Sequence, residues 1–223
     1  MHPSEFISVA EDAGLIGKIG DWVLSTVCRQ MKAWCDAGLP TLPIAVNVSP
    51  RQFRENDFPV RVAEILKSTQ LAPGMLELEV TESSVMESVD DAIEKLNTLN
   101  AMGVHLSVDD FGTGYSSLSY LRKLPIHSLK IDQSFILNMT GDRSTQAIVA
   151  STIYLAHRLG LGVVAEGVET EEQRELLRNW QCDILQGYLF HKPVTCDQFE
   201  KLLAQYQDEF KSLSRACSNL GGT

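Results

Sequence analysis

Six short apolar runs, each followed by a stretch of helical periodicity, constrain this chain more than any other feature. Ile44, Val46 and Val48 alternate as a strand, and Met75–Val80 reads as a second. Val104, Leu106 and Val108 form a third, Ser128–Ile131 a fourth, Val163–Ala165 a fifth and Asp183–Leu185 a sixth. Between them lie helices. Apolar Val23, Val27, Met31 and Trp34 recur at helical spacing from Ile19 to Ala37. Asp57 and Pro59 open the next helix, and Ser88 is placed to cap one that Gly103 stops. Leu118–Leu124 reads as a short helix, and a longer one starts near Thr145 with Ile148, Thr152, Leu155 and Leu159 on one face. Thr170 with Gln173, and Thr195 with Gln198, have capping-box spacing, the last helix reaching about Lys211 before a frayed tail over 212–223.

Each strand ends in a polar or ionisable residue: Asn47, Glu79, Asp109 with Asp110, Lys130, Glu166 and Gln186. In a parallel βα barrel the C-terminal strand ends converge on one face, and catalytic groups come from several strands there. A dinucleotide-binding sheet would instead place a glycine-rich turn after its first strand, and none occurs. The fold class is therefore α/β, of TIM-like (β/α)8 type, with about six βα units present. Asp110-Phe111-Gly112 spells a kinase motif without the accompanying catalytic loop, and Gly112–Ser117 is not a phosphate-binding P-loop because no Gly-Lys-Ser/Thr follows.

Composition narrows the function. A formal charge of −10 with no basic run argues against a nucleic-acid polymer or an anionic membrane as partner. Five cysteines without a CxxC pair suit reduced thiols in a cytoplasmic setting, and no apolar run reaches membrane-spanning length, although a parent protein anchored through other domains is compatible with this. Asn47, Glu79, Asp109, Asp110 and Glu166 are hard oxygen donors, and no His or Cys joins them, which favours Mg2+ or Mn2+ over zinc. Adjacent carboxylates suit a position between two ions. Lys130 supplies a fixed charge near an attacked phosphate or attacking water, and Gln186 an uncharged group to orient water or substrate. Taken singly, each has an ordinary alternative: Asn47 bonding its own turn, Lys130 solvated, Glu166 and Glu169 at a helix entry. Their joint occurrence at successive strand ends is what favours a site. The five histidines are scattered and read as structural or surface residues.

The segments NVSPRQF, LELEVTES, DDFGTGYSSLSYL, LKID, VVAEGVE and QGYLFHKP, in this order, resemble the EAL family of bacterial cyclic di-GMP phosphodiesterases over about residues 3–193. The resemblance implies a modified (β/α)8 barrel that linearises cyclic di-GMP to pGpG by water attack, using two Mg2+ or Mn2+ ions. It implies Asn47, Glu79 and Asp109 as ligands of one ion, and Asp109, Asp110 and Glu166 as ligands of the other. It further implies catalytic roles for Lys130, Glu166 and Gln186, with Lys130 at the attacking water and Gln186 beside it. By the same resemblance, Glu82 is similar to the residue that anchors the loop after Asp110, a loop associated in the family with homodimer contacts and regulation, and Glu169 matches the second acid of its motif, expected near the substrate. The family's Gln-Pro and Glu-Ala-Leu strands lie upstream of the HPSEFI segment with which this sequence begins. Residues 1–211 are therefore expected to form an N-terminally truncated EAL domain, lacking two strands and one ligand of the first ion, roughly fifty residues upstream at ordinary unit lengths. A sensor or GGDEF-type domain is expected in the parent, and very weak or no turnover from the chain alone. A c-di-GMP receptor that has lost its chemistry is the alternative, and a different metal-dependent phosphodiesterase a third.

Overall fold

The apolar runs bounded by Gly, Pro and Asn do form strands, and their pairing defines the architecture. The computed structural model describes residues 3–113 and 118–206. In it, β1 (Ile44–Val48), β2 (Leu76–Thr81), β3 (His105–Phe111), β4 (Ser128–Ile131), β5 (Gly162–Ala165) and β6 (Ile184–Leu185) are all parallel. Their order in the sheet is their order in the chain. In a parallel sheet of this order, crossovers of the usual right hand lie on one face and the sheet curls around the other. A doubly wound sheet requires a reversal, and none occurs among the described strands. The architecture is a partial (β/α)8 barrel.

Strand periodicity sorts the side chains between these two faces. Leu76, Leu78, Val80, Leu106, Val108, Leu129, Ile131, Val163 and Ala165 are buried and join one core with helix residues such as Leu24, Cys28, Leu66, Leu96, Ile153 and Leu177. The alternate positions, Glu77, Glu79, His105, Ser107, Asp109, Ser128 and Lys130, form the opposite, polar face. An apolar outside and a polar inside are what a barrel with an internal site needs.

Several boundaries differ from the sequence reading for identifiable reasons. Met75 belongs to a 3-10 turn, Pro73–Met75, so β2 begins one residue later and continues to Thr81. Ser88 occupies the cap position of the helix Val89–Ala101 without a side-chain cap bond. The long helix is Arg143–Arg158, opened by Asp142, whose carboxylate accepts from the Ser144 and Thr145 N–H groups. Its buried stripe is Val149, Ile153 and Ala156, whereas Ile148 is exposed, so the expected face is displaced by one residue. The short helix described is Leu118–Leu121. Thr170 and Gln173 form the reciprocal capping box. The terminal helix is described over 196–206, and its expected end at Lys211 and the 212–223 tail lie outside the described residues. Cys28, Cys35, Cys182 and Cys196 are free thiols.

Candidate metal-dependent active site

Register brings the strand-end residues together. Asn47 pairs with Glu79, Glu79 with Ser107, and Thr81 with Asp109. Between β3 and β4 the pairing passes from Val108–Leu129 to Phe111–Ile131, so three steps on β3 match two on β4. This is a bulge at Asp109–Asp110, and Asp110 takes a left-handed conformation with φ 55°. Consecutive residues of a regular strand point to opposite faces; an inserted residue re-aims one of them. The bulge interrupts that alternation, and the Asp110 carboxylate lies within electrostatic reach of Asp109 and Lys130. Asp109 Oδ1 accepts from the Asp110 N–H at 2.9 Å, which pins the turn.

At the centre stands Lys130, 3% exposed. Its Nζ lies 2.7 Å from Glu79 Oε2, 2.6 Å from Glu166 Oε1 and 3.4 Å from Asp109 Oδ1. These three carboxylates come from β2, β3 and the residue after β5. Burial alone would lower the ammonium's pKa, but Glu79, Glu166 and Asp109 outweigh it and hold Lys130 above the ordinary lysine range. The acids are strained in the opposite sense. Burial raises Glu79 and Glu166 despite Lys130, with neighbouring carboxylates adding to the rise. Asp110 is raised by burial and then by Asp109, while Lys130 opposes. Four carboxylates around one ammonium leave an excess of negative charge in a poorly solvated place. Hard divalent cations would relieve that excess, and the oxygen-only donor set fits them. Among the described residues, however, no three His, Cys, Asp or Glu side chains are grouped to hold an ion, and Glu79, Asp109 and Glu166 face the Lys130 ammonium instead.

The remaining candidates lie around this centre. Asn47 and Gln186 are exposed at the ends of the two outermost strands; the Gln186 N–H donates to Ala165 O at 2.9 Å. Glu82 is 2% exposed, opens the helix Glu82–Glu87, and its Oε2 accepts from the Gly112 N–H at 2.8 Å, tying that helix to the turn after the bulge. The loop expected to make dimer contacts continues into residues 114–117, which lie outside the described residues. Glu169 is exposed, and its N–H donates to Gln173 Oε1 at 2.7 Å. Sequence reading passed over Ser107, which is wholly buried on the polar face beside Glu79. Counting two back from Asp109 would have found it.

The EAL domain family model matches residues 1–193. The chain is 46% identical over 196 residues to the bifunctional diguanylate cyclase/cyclic di-GMP phosphodiesterase MucR of Pseudomonas aeruginosa, covering 88% of this chain and 29% of MucR. It is 43% identical over 203 residues to the signaling protein YkoW of Bacillus subtilis, covering 91% and 25%. To the cyclic di-GMP phosphodiesterase NbdA of P. aeruginosa it is 42% identical over 207 residues, covering 93% and 26%. The chain thus spans between 25% and 29% of the length of these relatives. Among solved structures, the PaMucR phosphodiesterase in complex with c-di-GMP matches with a TM-score of 0.87 and 46% identity, over 89% of this chain and 81% of that one. The EAL domain of Mycobacterium smegmatis DcpA matches with a TM-score of 0.81 and 40% identity, over 86% of each chain. With parallel order, bulged Asp-Asp strand and family match in agreement, this chain belongs to the EAL domain family.

Proposed function

We propose that this chain provides the cation-dependent site of a cyclic di-GMP phosphodiesterase, which hydrolyses the cyclic dinucleotide to linear pGpG. The observation that carries the reading is the convergence of Glu79, Asp109 and Glu166, from three different strand ends, on the buried Lys130 ammonium. The names of MucR and NbdA, and the c-di-GMP bound in the PaMucR structure, support the substrate. Asn47, Glu79 and Asp109 would hold one Mg2+ or Mn2+ ion, and Asp109, Asp110 and Glu166 a second. Bound there, the ions would polarise the phosphodiester and neutralise charge that develops on its oxygens.

The chain's own residues do the rest. Lys130 stays charged at neutral pH and presents a fixed cation to the attacked phosphate and the incoming water. Gln186, exposed at the end of β6, hydrogen-bonds and orients water or substrate without adding charge. Glu169 lies at the rim as a substrate-side acid. Glu82 fixes the turn after Asp110 through Gly112, so the Asp110 carboxylate is presented in one orientation. A homodimer is supported by an apolar depression of Phe111, Ile148 and Leu155 beside that turn. No described helix is long and apolar enough to cross a membrane.

The direct test is to incubate the full-length protein carrying this chain with cyclic di-GMP and Mn2+ and separate the products. Formation of pGpG is expected. Unchanged substrate in the presence of folded protein overturns the proposal. A receptor reading has one observation in its favour, the occupation of the acid centre by Lys130. Calorimetry separates the two, because a receptor binds cyclic di-GMP without releasing pGpG.

A further inference from the structure

The polar face of the sheet contains one side chain that is out of balance. Ser107 is 0% exposed, and its hydroxyl has no hydrogen-bond partner. A buried hydroxyl left unpaired forfeits its hydration without compensation, so a stable fold rarely keeps one. Its neighbours are informative. Ser107 pairs in register with Glu79 on one side and Ser128 on the other, and lies two residues before Asp109 on the same face. Ser128 is already engaged, its Oγ donating to Glu77 Oε1 at 3.3 Å. Glu79 is engaged through Oε2, which accepts from Lys130.

Were Glu79 to take a cation, its carboxylate would turn from the Lys130 ammonium toward the ion and would need a second donor to fix the new orientation. Ligand carboxylates are generally held by such outer hydrogen bonds. Among the described residues, Ser107 is a buried donor on the same face, in direct register and without a partner.

We propose that Ser107 is a positioning residue for Glu79, its hydroxyl donating to the Glu79 carboxylate when that group turns to a divalent cation. The inference rests on the proposed cation-dependent reading of the site. In the metal-free protein the hydroxyl is idle, and in the loaded protein it is satisfied. Its removal therefore has opposite effects in the two states, which a residue with a merely structural role would not show.

The test uses Mn2+ alone as the probe, with the full-length protein, and reads Mn2+ affinity by calorimetry and the thermal midpoint with and without Mn2+. Ser107→Ala is expected to leave the metal-free midpoint unchanged or higher, and to weaken Mn2+ binding by about 10-fold or more. Ser107→Cys, nearly isosteric but a poor donor, is expected to weaken it similarly, which removes a cavity as the explanation. Wild-type Mn2+ affinity in both variants overturns the proposal, as does a fall in the metal-free midpoint matching the loss in the loaded protein. If the wild type itself binds no Mn2+, the cation-dependent reading fails, and this inference falls with it.

Discussion

Asp110 combines a carboxylate electrostatically coupled to Asp109 and Lys130 with a left-handed backbone at φ 55°. The two requirements separate by substitution. Asn tolerates this conformation and keeps the side-chain shape, whereas Ala meets a penalty of roughly 1–2 kcal/mol there. Asp110→Asn is therefore expected to reduce turnover by at least about 10²-fold while leaving the urea midpoint near wild type. Asp110→Ala should lose both, and equal stability of the two variants would contradict the role given to the bulge. His127 provides a pH prediction away from the acids. Its ring stacks on His105 at 4.7 Å, and Nδ1 accepts from the Leu106 N–H at 3.1 Å, so that nitrogen must stay unprotonated. Partial desolvation, and then His105, lower its pKa. Below the ordinary imidazole pKa the unfolded chain binds the proton more readily than the fold does. This group's stabilisation is thus complete above that value and is lost as pH falls through the lowered one. The thermal midpoint, followed from neutral to acid pH, should fall more steeply in wild type than in His127→Asn.

At the scale of elements, the approach of the segments after β5 and β6 fixes where Glu166 and Gln186 sit. A Cβ on Gly187 would lie 2.1 Å from Val168 O and 2.3 Å from Val168 N. These are main-chain atoms that also bond Leu189 N and Gln186 O. No side-chain rotation relieves such a clash. Gly187→Ala is expected to cost about 3 kcal/mol or more, measured by denaturant unfolding, and to reduce activity with it. Strand identity and order were legible in the sequence because β-branched runs and turn residues are local signals. The strand-end acids and Lys130 were legible for the same reason. The β3 bulge was not, because two adjacent Asp residues say nothing of the register that β4 imposes. Nor was the buried stripe of Arg143–Arg158: both Ile148 and Val149 are apolar, and packing against the sheet chose the second. The use of Lys130 as a counter-charge for Glu79, Asp109 and Glu166 is a tertiary fact, since these residues are far apart in the chain.

Across the whole molecule, net charge and site charge have the same sign, and the proposed substrate is an anion. With a formal charge of −10 and a surplus of carboxylates at the strand ends, an anionic dinucleotide is repelled unless cations are present. Cation binding, substrate binding and chemistry should therefore rise together. The measurement that tests this most directly is a parallel titration of the full-length protein with Mn2+, reading bound cation and the rate of pGpG formation from cyclic di-GMP in the same samples. The expected result is no turnover in chelator, a rate that follows cation occupancy, and loss of that rate in Asp110→Asn. Turnover indifferent to cations, or saturated cation and substrate binding without pGpG, would contradict it.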